Sequence, residues 1–247
     1  MPVRHFQYTQ YDLILIENFG GKIMKEEIIK FLEENFNLDN YELPDEYSYS
    51  CLPLCLLDAV FSIGANYKST QNVVDRFCDI NNLEKFKSDT SEDYTIKEFI
   101  DYIDKTGVQS FAENVIKNTQ RTSSTNGILK AEAVLECAKV FDRNSIQTIN
   151  DFNKLLNNDI EKEYKKVKGQ STGISLSYLK MLCGDENTLK PDRHIMRFLV
   201  EFGYEGIDCI NAQSIMESVV ADLSAKHDGI NVRKIDYIIW NYMSKRY

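Results

Sequence analysis

The sequence is short of proline (4), histidine (3) and glycine (11) across its 247 residues, and no long apolar run interrupts it. So little proline and glycine excludes collagen-like and low-complexity chains and leaves helix interiors unbroken. Residues 13–16 form the longest apolar stretch near the beginning, too short for a secretory h-region or a membrane span. The expectation is therefore a cytoplasmic protein that makes no membrane contact. His5, His194 and His227 are isolated, and Cys51 with Cys55 lacks a second pair, so no zinc site or other metal is expected. The six cysteines, at 51, 55, 78, 137, 183 and 209, lie among mostly apolar neighbours, a pattern of reduced buried thiols rather than a disulfide framework. Positive charge is lacking too. The formal net charge is −9, the opposite sign from most nucleic-acid binders, although the placement of charge matters more than its sum. No Walker loop, Ser-His-Asp order or dinucleotide fingerprint is found.

Helical periodicity dominates what is present. Ile28, Phe31, Leu32 and Phe36 share a face, as do Leu56, Leu57, Val60 and Phe61 after Pro53. Ile96, Phe99, Ile100 and Ile103 repeat the spacing, then Ile195, Phe198, Leu199 and Phe202, then Ile235, Ile238, Ile239 and Tyr242. Ser69 and Thr70 are candidate N-caps for the stripe Val73, Val74 and Phe77. The one strand candidate, residues 11–16, equally opens a helix. Short polar connections fall at 37–50, 88–94, 118–127 and 184–190, and residues 119–126 are the most linker-like. Ten or more helices with short connections imply an all-α fold.

The stretch 165–199 carries the chemistry. Lys165, Lys166 and Lys168 precede Gly169-Gln170-Ser171-Thr172-Gly173, and a helix begins near Thr172 or Gly173. Glycines at a helix start let backbone N–H groups face outward, and with the helix dipole they form a phosphate seat. The same residues also suit a plain turn between two helices. Farther on, Pro191 ends any preceding helix, so Asp192 opens a new one, either as a simple N-cap or as a functional carboxylate.

This stretch resembles the signature of the helix-hairpin-helix–Gly/Pro-Asp (HhH-GPD) DNA glycosylase superfamily, with Asp192-Arg193-His194-Ile195-Met196-Arg197 matching its aspartate-led helix. Leu54 to Ser62 with Thr70 to Phe77, and Lys130-Ala131-Glu132-Ala133-Val134-Leu135, look like the helices that precede the hairpin. Asp236-Tyr237-Ile238-Ile239-Trp240 resembles a closing helix of bacterial members of unassigned role. The resemblance implies two helical subdomains flanking a cleft. One spans about 50–184 and includes the hairpin 157–184; the other joins about 1–49 to 185–247.

The resemblance further implies a monofunctional N-glycosylase acting on a damaged or modified base flipped from duplex DNA. Asp192 would be the catalytic carboxylate. Gly169, Gln170, Ser171, Thr172, Gly173, Lys166, Lys168 and Arg193 would bind the DNA backbone, a monovalent cation being allowed at the hairpin. Asn66, Tyr67, Tyr178 and Trp240 are the candidates for base pocket or wedge. The chain departs from the pattern in three ways. Its hairpin is longer and more polar. No lysine stands at the Schiff-base position, so no lyase activity is expected. Only Cys209 lies where relatives hold an iron–sulfur cluster, so no cluster and no other cofactor is expected. The alternative is a non-catalytic DNA-binding or protein-interaction module on the same fold.

Overall fold

A computed structural model describes residues 10–44, 48–88 and 93–246, with side chains described from residue 21 onward. His5 lies outside the described residues, as do parts of the connections at 37–50 and 88–94. The described chain is helical: α1 (Gln10–Asn35), α2 (Leu52–Phe61), α3 (Tyr67–Asn81), α4 (Ile96–Thr106), the single turn α5 (Val108–Ser110), α6 (Lys130–Arg143), α7 (Ile149–Leu155), α8 (Asn158–Lys166), α9 (Ile174–Leu182), α10 (Arg193–Glu201), α11 (Cys209–Ser224) and α12 (Val232–Met243). A π-helical turn, Phe111–Val115, continues α5. Among the described residues there is no strand, only two isolated antiparallel bridges, Tyr49 with Phe86 and Arg121 with Leu129. Residues 11–16, whose pattern left strand or helix open, form the first turns of α1. The chain divides into two compact units, one of Met1–Glu42 with Pro191–Tyr247 and the other of Leu43–Lys190.

The central unit, Leu43–Lys190, is organised around α2. Every residue of Leu-Pro-Leu-Cys-Leu-Leu-Asp-Ala-Val-Phe is buried, as expected of a helix that is apolar on all sides. Pro53 sits in its first turn, where a missing N–H costs nothing. Helices α3, α6 and α9 pack on α2, and α4 packs on α6. Phe77 meets Phe99 and Phe111 edge-on, with ring centroids 5.3 and 6.0 Å away. All six cysteines are free, and Cys209 alone is not buried.

Helix α3 starts earlier than the stripe Val73, Val74 and Phe77 implied. Asn66 is its N-cap, accepting from the Ser69 N–H at 2.8 Å, because the carboxamide reaches the third amide of a helix entered from extended backbone. Ser69 and Thr70 therefore lie inside the helix. The C-terminal end of α2 is closed by Lys130, which is 4% exposed. Its ammonium donates to Phe61 O at 2.9 Å, Ile63 O at 2.7 Å and Gln120 Oε1 at 3.2 Å. Burial, helped by the nearby Lys190 charge, pulls this ammonium down to about 8. Replacing Lys130 with Met strands two carbonyls, each costing about 1–3 kcal/mol. Lys130→Met is expected to lower the urea midpoint by the equivalent of about 2–6 kcal/mol with an unchanged slope.

In the unit that joins the two ends of the chain, α10 packs on α12 and α1 packs on α11. The Phe31 ring lies 5.9 Å from Phe198, 5.4 Å from Phe202 and 5.2 Å from Tyr242. A polar clasp adds to this core: His227 meets Asp39 at 2.9 Å and Glu33 at 3.4 Å, and Lys226 bonds Glu33 at 2.9 Å. The bond to Asp39 holds the His227 imidazole above its ordinary 6.5 against desolvation, with the bond to Glu33 adding to it. The stability this contributes is fully present below 6.5 and is lost as the pH rises through the raised value. The urea midpoint of this unit is expected to fall as the pH rises from 6.5, and His227→Gln is expected to abolish that component.

Candidate nucleic-acid interface

Helix α8 begins at Asn157, whose side chain accepts from the Asp159 and Ile160 amides, and ends in Lys165 and Lys166. The following turn is closed by backbone bonds from Gln170 N to Val167 O at 2.9 Å and from Gly173 N to Gln170 O at 3.0 Å. Gly169 and Gly173 have φ of +91° and +75°, where a Cβ is strained. Gly173 is the N-cap of α9. At Gly169 space excludes a side chain as well, whereas at Gly173 the neighbour is the movable end of a lysine. A Cβ on Gly169 would lie 2.4 Å from Thr122 Cβ, and one on Gly173 would lie 2.8 Å from Lys165 Cε.

The turn sorts its residues by direction. Gln170 is 2% exposed. Its carboxamide oxygen accepts from the Ser175 hydroxyl, which also accepts from Tyr164 OH at 3.2 Å. The Gln170 side chain is therefore a structural pin and not an outward contact. Gly169, Ser171 and Thr172 are exposed. With Lys168, their backbone N–H groups make no hydrogen bond among the described residues. Lys165, Lys166 and Lys168 are exposed and join no ion pair among the described residues. Unused amides at a helix start, flanked by unneutralised ammonium groups, suit a phosphate. Lys180, farther along α9, is held by Glu161 at 2.6 Å.

A buried carboxylate, absent from the sequence-derived candidates, anchors α9. Asp58 is 4% exposed, and its Oδ2 accepts from Tyr49 OH at 2.9 Å and Tyr178 OH at 3.3 Å. Burial raises the Asp58 carboxyl; Lys190 and the two phenols act against that. Lys190 Nζ stands 3.8 Å over the Tyr178 ring and donates to Ser62 Oγ at 3.1 Å. The signal for this cluster was an acidic residue inside an otherwise apolar helix. Of the four pocket candidates, Tyr178 is buried in this cluster, and Asn66 is engaged as the α3 cap. Tyr67, beside Asn66, is 44% exposed.

In the other unit, Asp192 is the N-cap of α10. Its Oδ1 accepts from the His194 N–H at 2.7 Å and the Ile195 N–H at 3.4 Å. Asp192 is half-buried, and its Oδ2 makes no hydrogen bond among the described residues. One oxygen thus fixes the carboxylate while the other stays available. Arg193 is exposed, with Nε 3.4 Å from His194 Nε2. Trp240 is half-buried on α12, with its ring 6.1 Å from that of Tyr237. No group of three or more His, Cys, Asp or Glu residues suited to a metal occurs among the described residues. No described helix is long and apolar enough to cross a membrane.

A family model described as "Domain of unknown function (DUF8548)" matches residues 26–244. No curated protein and no solved structure matches the chain.

The Gly169 contact gives a direct stability test. Gly169→Ala combines strain at positive φ with overpacking against Thr122, together costing about 2–4 kcal/mol. Gly184 has φ of +102° but nothing within 4 Å of an added Cβ, so Gly184→Ala carries only strain of about 1–3 kcal/mol. Chemical denaturation is expected to rank Gly169→Ala as the more damaging change.

Proposed function

The chain belongs to the family described as a domain of unknown function (DUF8548), and from the chemistry of its own residues we propose that it is a monofunctional DNA N-glycosylase. The observation that carries this reading is the glycine turn before α9, with unused amides at Gly169, Ser171 and Thr172 beside Lys166 and Lys168. Such a turn grips a phosphate without reading sequence. The likeness of residues 165–199 to the HhH-GPD signature supplies the reaction class, and Asp192 supplies a carboxylate with one oxygen held and one available.

The target base is flipped out of the stack, at a cost of a few kcal/mol that is smallest for a damaged or mismatched base. As the glycosidic bond breaks, the sugar C1′ gains positive charge. The Asp192 carboxylate stabilises that charge and orients or deprotonates the attacking water. Two helix amides hold Oδ1, so the group needs little reorganisation when the charge develops. Arg193 adds charge attraction to the backbone, and Tyr67, 44% exposed, is the aromatic candidate for a wedge, while the Tyr178 hydroxyl is held by Asp58. A monovalent cation would fit the hairpin through the Lys168, Gly169 and Ser171 carbonyls, which accept no backbone hydrogen bond among the described residues. It would supply positive charge to the phosphate. No lyase step is proposed, since Lys180 is paired with Glu161.

The test is a panel of end-labelled duplexes, each with one modified base, incubated with protein and then treated with hot alkali. The expected result is alkali-dependent cleavage at one lesion, reduced about a hundredfold or more in Asp192→Asn. Binding without cleavage on any lesion would replace the enzyme with a non-catalytic duplex-binding module, the reading that the net charge of −9 and the polar hairpin favour. Neither cleavage nor binding would leave a protein-interaction role.

A further inference from the structure

The connection at 119–126, which composition marks as a linker, is a built surface. Thr122 N donates to Ile128 O at 2.9 Å, and Lys130 N donates to Gln120 O at 2.8 Å. These bonds surround the Arg121–Leu129 bridge. Arg121 Nε donates to Gly127 O at 2.8 Å, and Ser123 Oγ donates to Thr125 O at 2.7 Å. The turn is so tight that a Cβ on Gly127 would lie 2.4 Å from both Ser123 N and Ser123 O. Lys130, fixed at the end of α2, holds Gln120 from beneath. The loop is therefore ordered before any partner arrives.

Its composition and its neighbour point to one class of partner. Acidic residues make up 38 of the 247 positions, yet none occurs between Glu113 and Glu132. The exposed tip instead carries Arg121, Ser124 and Thr125, side chains that donate hydrogen bonds to phosphate oxygens, while the Ser123 hydroxyl is used within the loop. The loop and the glycine turn form one continuous surface, since Thr122 fills the space beside Gly169 where a Cβ would stand.

We propose that the loop 119–127 is a second strip for the DNA backbone, extending the grip of the glycine turn along the duplex through Arg121 and the hydroxyls of Ser124 and Thr125. The inference rests on the duplex-binding reading of that turn. It assigns the loop to sequence-independent contact, which adds affinity and register but no base preference. The strip itself holds no acidic residue; Glu132, Glu136 and Glu163 line the hollow beside Ile128, Lys166 and Lys168, and salt screens exposed charges beyond about 8–10 Å.

The test is fluorescence anisotropy of a labelled unmodified duplex, titrated with full-length protein at several salt concentrations. Arg121→Gln is expected to weaken binding and to reduce the slope of log K against log salt by about one. Because Arg121 also shapes the loop, Ser124→Glu is the second variant. Ser124 is exposed and its side chain makes no hydrogen bond among the described residues, so folding should be unaffected while affinity falls about tenfold through repulsion of phosphate. Lys166→Gln with Lys168→Gln reports on the glycine turn separately. Wild-type affinity and slope in both loop variants, with binding lost in the lysine variant, would overturn the loop proposal and leave the turn intact. Absence of duplex binding by the wild-type protein, or wild-type binding in the lysine variant, would instead overturn the parent reading, and the loop proposal with it.

Discussion

Asp58 receives the hydroxyls of Tyr49 and Tyr178 at 2.9 and 3.3 Å while lying in the most thoroughly buried helix of the central unit. The two phenols come from the segment before α2 and from α9, so one carboxylate fastens three parts of the chain. The chain of bonds continues outward: Gln71 Nε2 to Tyr49 OH at 3.4 Å, and Lys85 to Gln71 and Asp75 at 2.6 Å each. A buried carboxylate is costly unless its lone pairs are satisfied, and removing one partner leaves the cost uncompensated. Helix α9 is thus held against α2 in one register. Its first turn carries Gly173, so the same interaction governs where the amides of the glycine turn face.

That turn is over-determined locally. Gly169 and Gly173 supply the backbone angles, Gln170 plugs the interior through Ser175, and Thr122 occupies the space that a side chain on Gly169 would need. The outward groups are left unused: amides at Gly169, Ser171 and Thr172, and ammonium groups at Lys165, Lys166 and Lys168. An acidic protein of net charge −9 can present such a surface because interactions between exposed charges are screened beyond about 10 Å.

The helical class was legible because apolar residues recur at 3.6-residue spacing through most of the chain, and the described residues are helical accordingly. Pro191 followed by Asp192 announced the start of α10, and the paired glycines announced the turn before α9. Local signals of this kind depend on neighbours in sequence. The Asp58 cluster did not show itself, since Tyr49 and Tyr178 stand 9 and 120 positions away. Gln170, a backbone contact by the resemblance, turns inward instead, because the fold of the turn brings its side chain onto Ser175. Residues 119–126 read as linker-like because their order comes from the antiparallel bridge and from Lys130, neither of which composition reveals.

The most direct measurement of the central claim, that the turn before α9 is a preformed seat for a nucleic-acid phosphate, is an amide chemical-shift titration with a short duplex. The amides of Gly169, Ser171 and Thr172 should shift early and saturably, while that of Gln170, already bonded to Val167 O, shifts less. Raised salt should reverse the changes together. Saturable shifts confined to other surfaces, with these three amides unmoved, would contradict it.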